Sequence, residues 1–219
     1  MENKKFCFII CTDNPVFLEE CVHYLQHLAV PKGYDMDLLT VKDAVSMALG
    51  YQEAMEQSDA KYKIYMHQDV FILNRNFLAD LLAVFEDDPE IGMIGMVGYE
   101  KMSGDGIMWH QKRIEDCALP PGGYVYAAVV DGFLLATQYD LPWNAAVLTG
   151  FDFYDAFQCM EFLRAGYKIA VPAQNPPWCL HDDGRLSNMS KYDKYRQLFL
   201  KKYGDALGKD YRQIIRGMS

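Results

Sequence analysis

What this 219-residue sequence lacks narrows it first. No run approaches the roughly 20 uninterrupted apolar residues that span a bilayer. The opening MENKKFCFIICTDNP has a basic pair and a short apolar run but no cleavage pattern, and Asp13 and Pro15 arrive too soon for a signal peptide. It reads as a buried strand of a cytoplasmic protein. The six cysteines form no CxxC pair and have no His at zinc-finger spacing, so neither a metal finger nor a disulfide framework is expected. No GxGxxG joins a strand to a helix, which sets aside dinucleotide oxidoreductases. The segment CTDNPVF after the first strand holds neither glycine nor a basic residue, which sets aside sugar nucleotidyltransferases. Positive charge is also short. A net charge of −9 excludes nucleic acid as the main partner, because phosphate binding needs a basic footprint.

What is present suits one domain of 1–219 with a substantial core: 51% of residues are hydrophobic and 23% charged. The first half alternates strand and helix signals. KFCFIIC is a strand-length apolar run, and PVFLEECVHYLQHLA follows with helical spacing and Pro15 in its first turn. MDLLTV, then a helix through AVSMALGYQEAMEQS, then the strand KYKIYMHQDVFI, the helix NFLADLLAVFEDD and the strand IGMIGMVG continue the pattern. Strands alternating with helices of this length imply a mostly parallel central sheet in a three-layer α/β/α sandwich. Beyond residue 98, IMWHQKR, YVYAAVV and GFLLATQY read as strands, FYDAFQCMEFLRAG as a helix and YKIAVP as a last strand. Residues 1–98 thus look like a nucleotide-binding half and 99–189 like an acceptor-side half. Residues 190–219 form a helical tail with eight Lys/Arg against three Asp. Its amphipathic helix, with Tyr192, Tyr195, Phe199 and Tyr203 near one face, either packs on the domain or brings Lys191, Lys194, Arg196, Lys201 and Lys202 to an anionic membrane surface.

Several residues carry chemistry by position. Asp69 sits after an apolar strand, and ligands of open α/β sheets bind beyond the carboxyl ends of the strands. A carboxylate there can hold a divalent cation against a diphosphate; it can equally begin a turn. His181, between PPWCL and DDG, is either a metal ligand or a loop histidine, and Asp182 and Asp183 could take its place. Thr12, Asp13 and Asn14 offer short polar groups that either meet a ligand or cap the helix at Pro15. Trp178 either offers an aromatic face to a ligand or packs in the core.

The landmarks CFIICTDNP, His67-Gln68-Asp69, VVDGFLLATQYDLPW, FYDAFQCMEFLRAGYKIAVP and PPWCLHDDG come in a fixed order. In that order they resemble the GT-A glycosyltransferases, particularly the inverting family-two-like group, from Phe6 to about Tyr203. The resemblance implies transfer from a nucleotide-diphospho-sugar, UDP-linked above all, to a glycan, lipid-linked or protein acceptor, with Mn²⁺ or Mg²⁺. It implies Asp155 as catalytic base, with the acid-at-helix-start role as the alternative. It implies Asp69 and His181 as metal ligands, and Thr12, Asp13, Asp43, Gln52, His67, Gln68, Asp131, Gly132, Tyr154 and Trp178 around the substrates. The departures are specific. His67 stands where the family more often has the first of two acids, Tyr154 where it often has Glu, and Gln52 where Asn is common. Asp43 stands in for an acid-rich end of the second strand. A domain that binds nucleotide or glycan without transferring is the rival reading.

Overall fold

The computed structural model describes residues 2–108, 113–114, 119–182 and 191–216. In chain order the first half runs β1 (Glu2–Thr12), α1 (Pro15–Leu25), β2 (Asp35–Lys42), α2 (Met47–Gln57), β3 (Ala60–His67), β4 (Val70–Ile72), α3 (Phe77–Asp87) and β5 (Ile91–Gly95). After these come β6 (Gly98–Tyr99), β7 (Arg113–Ile114), β8 (Tyr124–Ala127), β9 (Val129–Val130), β10 (Leu134–Thr137) and α4 (Tyr154–Arg164). The chain then forms β11 (Lys168–Pro172), β12 (Cys179–His181), α5 (Tyr192–Tyr203), a 3₁₀ turn and α6 (Tyr211–Arg216).

Seven strands form the main sheet in the order β2-β1-β3-β10-β5-β11-β8, interleaving strands from both halves of the chain. Five run one way; β10 and β8 run against them. Alternation along β1 shows why both faces must be covered, since successive side chains point to opposite faces. Phe6, Phe8 and Ile10 enter an apolar layer with Cys21 and Leu25 of α1 and Phe77, Leu78 and Leu81 of α3. Cys7, Ile9 and Cys11 enter the other layer with Tyr51 of α2 and Phe157 of α4. This is the α/β/α sandwich expected from the pattern.

Local chemistry sets the element ends. Asn14 caps α1, its Oδ1 accepting from Val16 N at 3.0 Å and Phe17 N at 3.4 Å, with Pro15 in the first turn. The helix stops at Leu25 rather than running to Ala29, because three-residue bonds from His27 N to Tyr24 O and Leu28 N to Leu25 O tighten its end. Ser46 accepts from Leu49 N at 3.2 Å and delays α2 to Met47. The expected single strand 61–72 is broken at Gln68-Asp69, where β4 leaves the main sheet to pair antiparallel with β12. Of the expected strand IMWHQKR, only Arg113 is seen in a strand; residues 109–112 lie outside the described residues.

The helical tail packs. Tyr195, Phe199 and Tyr203 of α5 are buried, with Phe199 and Tyr203 edge-on to Phe157 of α4 at 5.5 and 5.2 Å between ring centres. Arg196 donates to Asp105 O at 2.9 Å and Lys202 pairs with Glu161 at 2.9 Å, while Lys191, Lys194 and Lys201 face outward. Among the described residues no helix is long and apolar enough to cross a membrane. The five described cysteines are all free; Cys117 lies outside the described residues.

Candidate active site

Sheet register assembles the site. β3 lies between β1 and the reversed strand β10, so His67 pairs with Cys11 on one side and the chain just before Leu134 meets it on the other. His67 N donates to Phe133 O at 2.9 Å, which brings Asp131 and Gly132 to the carboxyl end of β3. The β4–β12 pair sets His181 opposite Val70, and Asp182 N donates to Asp69 O at 2.9 Å. Helix α4 points its first turn at the same place: Gly132 N donates to Asp155 Oδ2 at 3.0 Å. Phe153 enters that helix with φ 63°, a left-handed conformation uncommon for a bulky residue, and is held by Tyr192 and Phe199.

Three side chains converge there. Asp69 Oδ1 lies 3.5 Å from His181 Nε2 and 4.0 Å from His67 Nδ1. One ligand atom from each of His67, Asp69 and His181 falls within 4.8 Å of the others, a spacing that suits one ion roughly 2–2.3 Å from each donor. Asp69 Oδ1 is buried, and its nearest donor is His181 Nε2 at 3.5 Å, the long limit of a hydrogen bond. A cation among these donors would complete what that long contact satisfies only in part. Burial and the neighbouring His181 ring hold His67 below its ordinary pKa, in the neutral form that has a lone pair to give. Burial pushes the Asp69 carboxyl up, but the hydrogen bond from His181, with the further pull of the two imidazoles, outweighs it and holds the group below the usual carboxylate range. The ring of His181 stacks on Phe133, 5.0 Å between centres and 15° apart, which fixes its plane.

Asp155 sits beside this cluster. Burial and the Asp131 carboxylate push its pKa up to about 7, against backbone bonds from Ala156 N at 2.7 Å and Gly132 N that favour the ionised form. A carboxylate tuned to that range exchanges protons readily near neutral pH.

The other sequence candidates divide by location. Gln68 ties the loop after β1 to the site: its Oε1 accepts from Thr12 Oγ1 at 2.7 Å, Asp13 N at 3.1 Å and Asn14 N at 3.0 Å, and its Nε2 donates to Asp13 Oδ1 at 2.5 Å. Asn14 caps α1, whereas Asp13 stays exposed at the rim. Asp43 is exposed at φ 51° and bonded through its N–H to Thr12 O. Gln52 joins no cluster; it accepts from Trp143 N at 2.8 Å and donates to Glu56, linking α2 to the 141–143 segment. Trp178 lies in the core. It is 8% exposed, edge-on to Phe77 in the layer with α1 and α3, which is the packing alternative. Asp183 lies outside the described residues. Two roles escaped sequence reading: His67 as a third member of the donor cluster, and Tyr154, whose hydroxyl lies 2.6 Å from His67 Nε2.

This architecture is the GT-A type of nucleotide-sugar transferase fold. It is similar over 98% of the chain to the crystal structure of S. aureus TarS (12% identity, TM-score 0.60), of which it spans 42%. It is similar over 98% to S. aureus TarS 1-349 in complex with UDP-GlcNAc (13% identity, TM-score 0.59, 71% of that chain). It is also similar over 99% to the mannosyltransferase PcManGT from Pyrobaculum calidifontis in complex with GDP-Man and Mn²⁺ (14% identity, TM-score 0.59, 69% of that chain). No curated protein sequence matches significantly. The family is nevertheless defined, because residues 7–203 match the model of the glycosyltransferase-like family, and the chain belongs to it.

Proposed function

We propose that this chain transfers a sugar from a nucleotide-diphospho-sugar to an acceptor hydroxyl by an inverting, cation-assisted displacement. The observation that carries the reading is the convergence of one ligand atom each from His67, Asp69 and His181 within 4.8 Å, at the strand end that Asp155 also approaches. His67, Asp69 and His181 would hold the cation. When bound, it offsets the charge that builds on the departing diphosphate. Two imidazoles favour a transition ion such as Mn²⁺ over Mg²⁺, which prefers oxygen donors. Asp155 takes the proton of the acceptor hydroxyl as that oxygen attacks the anomeric carbon from the face opposite the nucleotide. Gly132 N and Ala156 N hold its carboxylate in place meanwhile. The loop of Thr12 and Asp13, pinned by Gln68, flanks the nucleotide, and Asp131 borders the sugar. UDP as the nucleotide draws support from the UDP-GlcNAc held by one similar structure, and Mn²⁺ from another. The acceptor is a saccharide, a lipid-linked glycan or a protein. Interleaving of strands from both halves supports a single 1–219 unit.

One observation favours a second reading, a domain that binds a nucleotide sugar without transferring it: both Asp155 oxygens already accept backbone bonds. Nucleotide release from UDP-, GDP- and TDP-sugars with Mn²⁺ separates the two. A transferase turns over at least one donor, and Asp155→Asn abolishes turnover while still binding nucleotide. Full activity in that variant would refute the mechanism.

A further inference from the structure

Resting on the cation reading above, we infer that Tyr154 is a positioning residue: its hydroxyl holds His67 by Nε2 and turns Nδ1 toward Asp69, and Gly132 is the space that lets it do so. Tyr154 Oη lies 2.6 Å from His67 Nε2 and bridges 87 positions of sequence. The other ring nitrogen, Nδ1, is the one that faces Asp69. A histidine that gives one nitrogen to an ion donates the N–H of the other to an oxygen, and that bond selects its tautomer and fixes its plane. Here the tyrosine oxygen is that acceptor.

The hydroxyl has no freedom to leave. Tyr154 is 5% exposed, and its ring is flanked by Tyr51 and Trp143 at 5.9 and 6.4 Å between centres. Over Gly132 the contact is so close that a Cβ there would collide with Tyr154 Oη, lie 2.7 Å from its Cζ and lie 2.9 Å from Asp155 Cβ. One glycine therefore serves both α4 residues: its missing side chain admits the tyrosine, and its N–H binds the neighbouring carboxylate. Adjacent residues of one helix turn thereby orient a donor to the cation and supply the base.

The test uses Mn²⁺ itself, followed by the electron paramagnetic resonance signal of the free ion, with no sugar donor present. Tyr154→Phe keeps the ring and deletes the oxygen, so Mn²⁺ affinity should fall about 10–100-fold, the usual effect of losing such an outer partner. Gly132→Ala should weaken binding in the same direction, and the double variant should be no weaker than the worse single one. Unchanged affinity in a folded Tyr154→Phe protein would overturn the inference and leave the cation site standing. No binding by the wild type would instead overturn the cation reading, and this inference with it. Should the variants fail to fold, nitrogen-15 NMR of wild-type His67 decides: the proton is expected on Nε2, and a proton on Nδ1 would overturn the inference.

Discussion

Asp155→Asn gives a prediction that needs no substrate. The Asp155 pKa lies at about 7, raised by burial and by Asp131, against roughly 3.9 in an unfolded chain. Because the folded-state value is raised, the stability tied to the neutral acid is complete below the unfolded pKa. It is lost as pH rises, until the folded group also ionises near 7. A shift of about three units corresponds to roughly 4 kcal/mol in all, of which about 2–3 kcal/mol falls between pH 5 and pH 8. Asparagine cannot ionise. It also meets one of the two backbone donors, Gly132 N or Ala156 N, with an amide NH₂, a pH-independent cost of about 1–3 kcal/mol. Urea unfolding of both proteins at pH 5 and pH 8 cancels that constant and every other titrating group. The variant should gain about 2–3 kcal/mol on the wild type between the two pH values. An unchanged difference would show that Asp155 does not titrate there, and the base assignment would lose its tuning.

Other outcomes follow from neighbouring contacts. Lys63 is wholly buried, with Nζ 2.9 Å from Asp140 and 2.6 Å from Ala60 O, so Asp140→Ala should cost about 3–5 kcal/mol in urea unfolding. Lys63→Met with Asp140→Leu should recover most of that loss. Gln68→Ala releases the loop of Thr12, Asp13 and Asn14 and should weaken UDP binding about tenfold by calorimetry, or about 1.4 kcal/mol. Phe199→Ala empties the seam between α5 and α4 and should cost about 3–5 kcal/mol, with residues near 192–203 becoming sensitive to protease.

Long, strongly patterned segments were legible because their signals are local. The apolar run of β1 and the Asn14-Pro15 start of α1 each sit within a few residues. Of the three-member donor cluster, Asp69 and His181 were named from the sequence and His67 was not. Asp69 could be read from its strand-end position, but His67 gains its role from Tyr154, 87 positions away, and no local pattern encodes a bond of that span. A hydroxyl beside the helix-start acid was the one available hint. The three-residue β12 is too short for periodicity to reveal, although it is what brings His181 to Asp69. Trp178 shows the reverse case: an aromatic near polar loop residues reads equally as ligand platform or core, and only the tertiary contact with Phe77 decides.

Under the proposed function, His67, Asp69 and His181 hold a divalent cation beside a nucleoside diphosphate. The most direct measurement is an anomalous-difference map from crystals of the chain grown with MnCl₂ and UDP. One strong peak is expected among these three side chains, with the diphosphate against it and Asp155 on the opposite side. A map with UDP bound and no peak at Asp69, or with manganese held elsewhere, would contradict it.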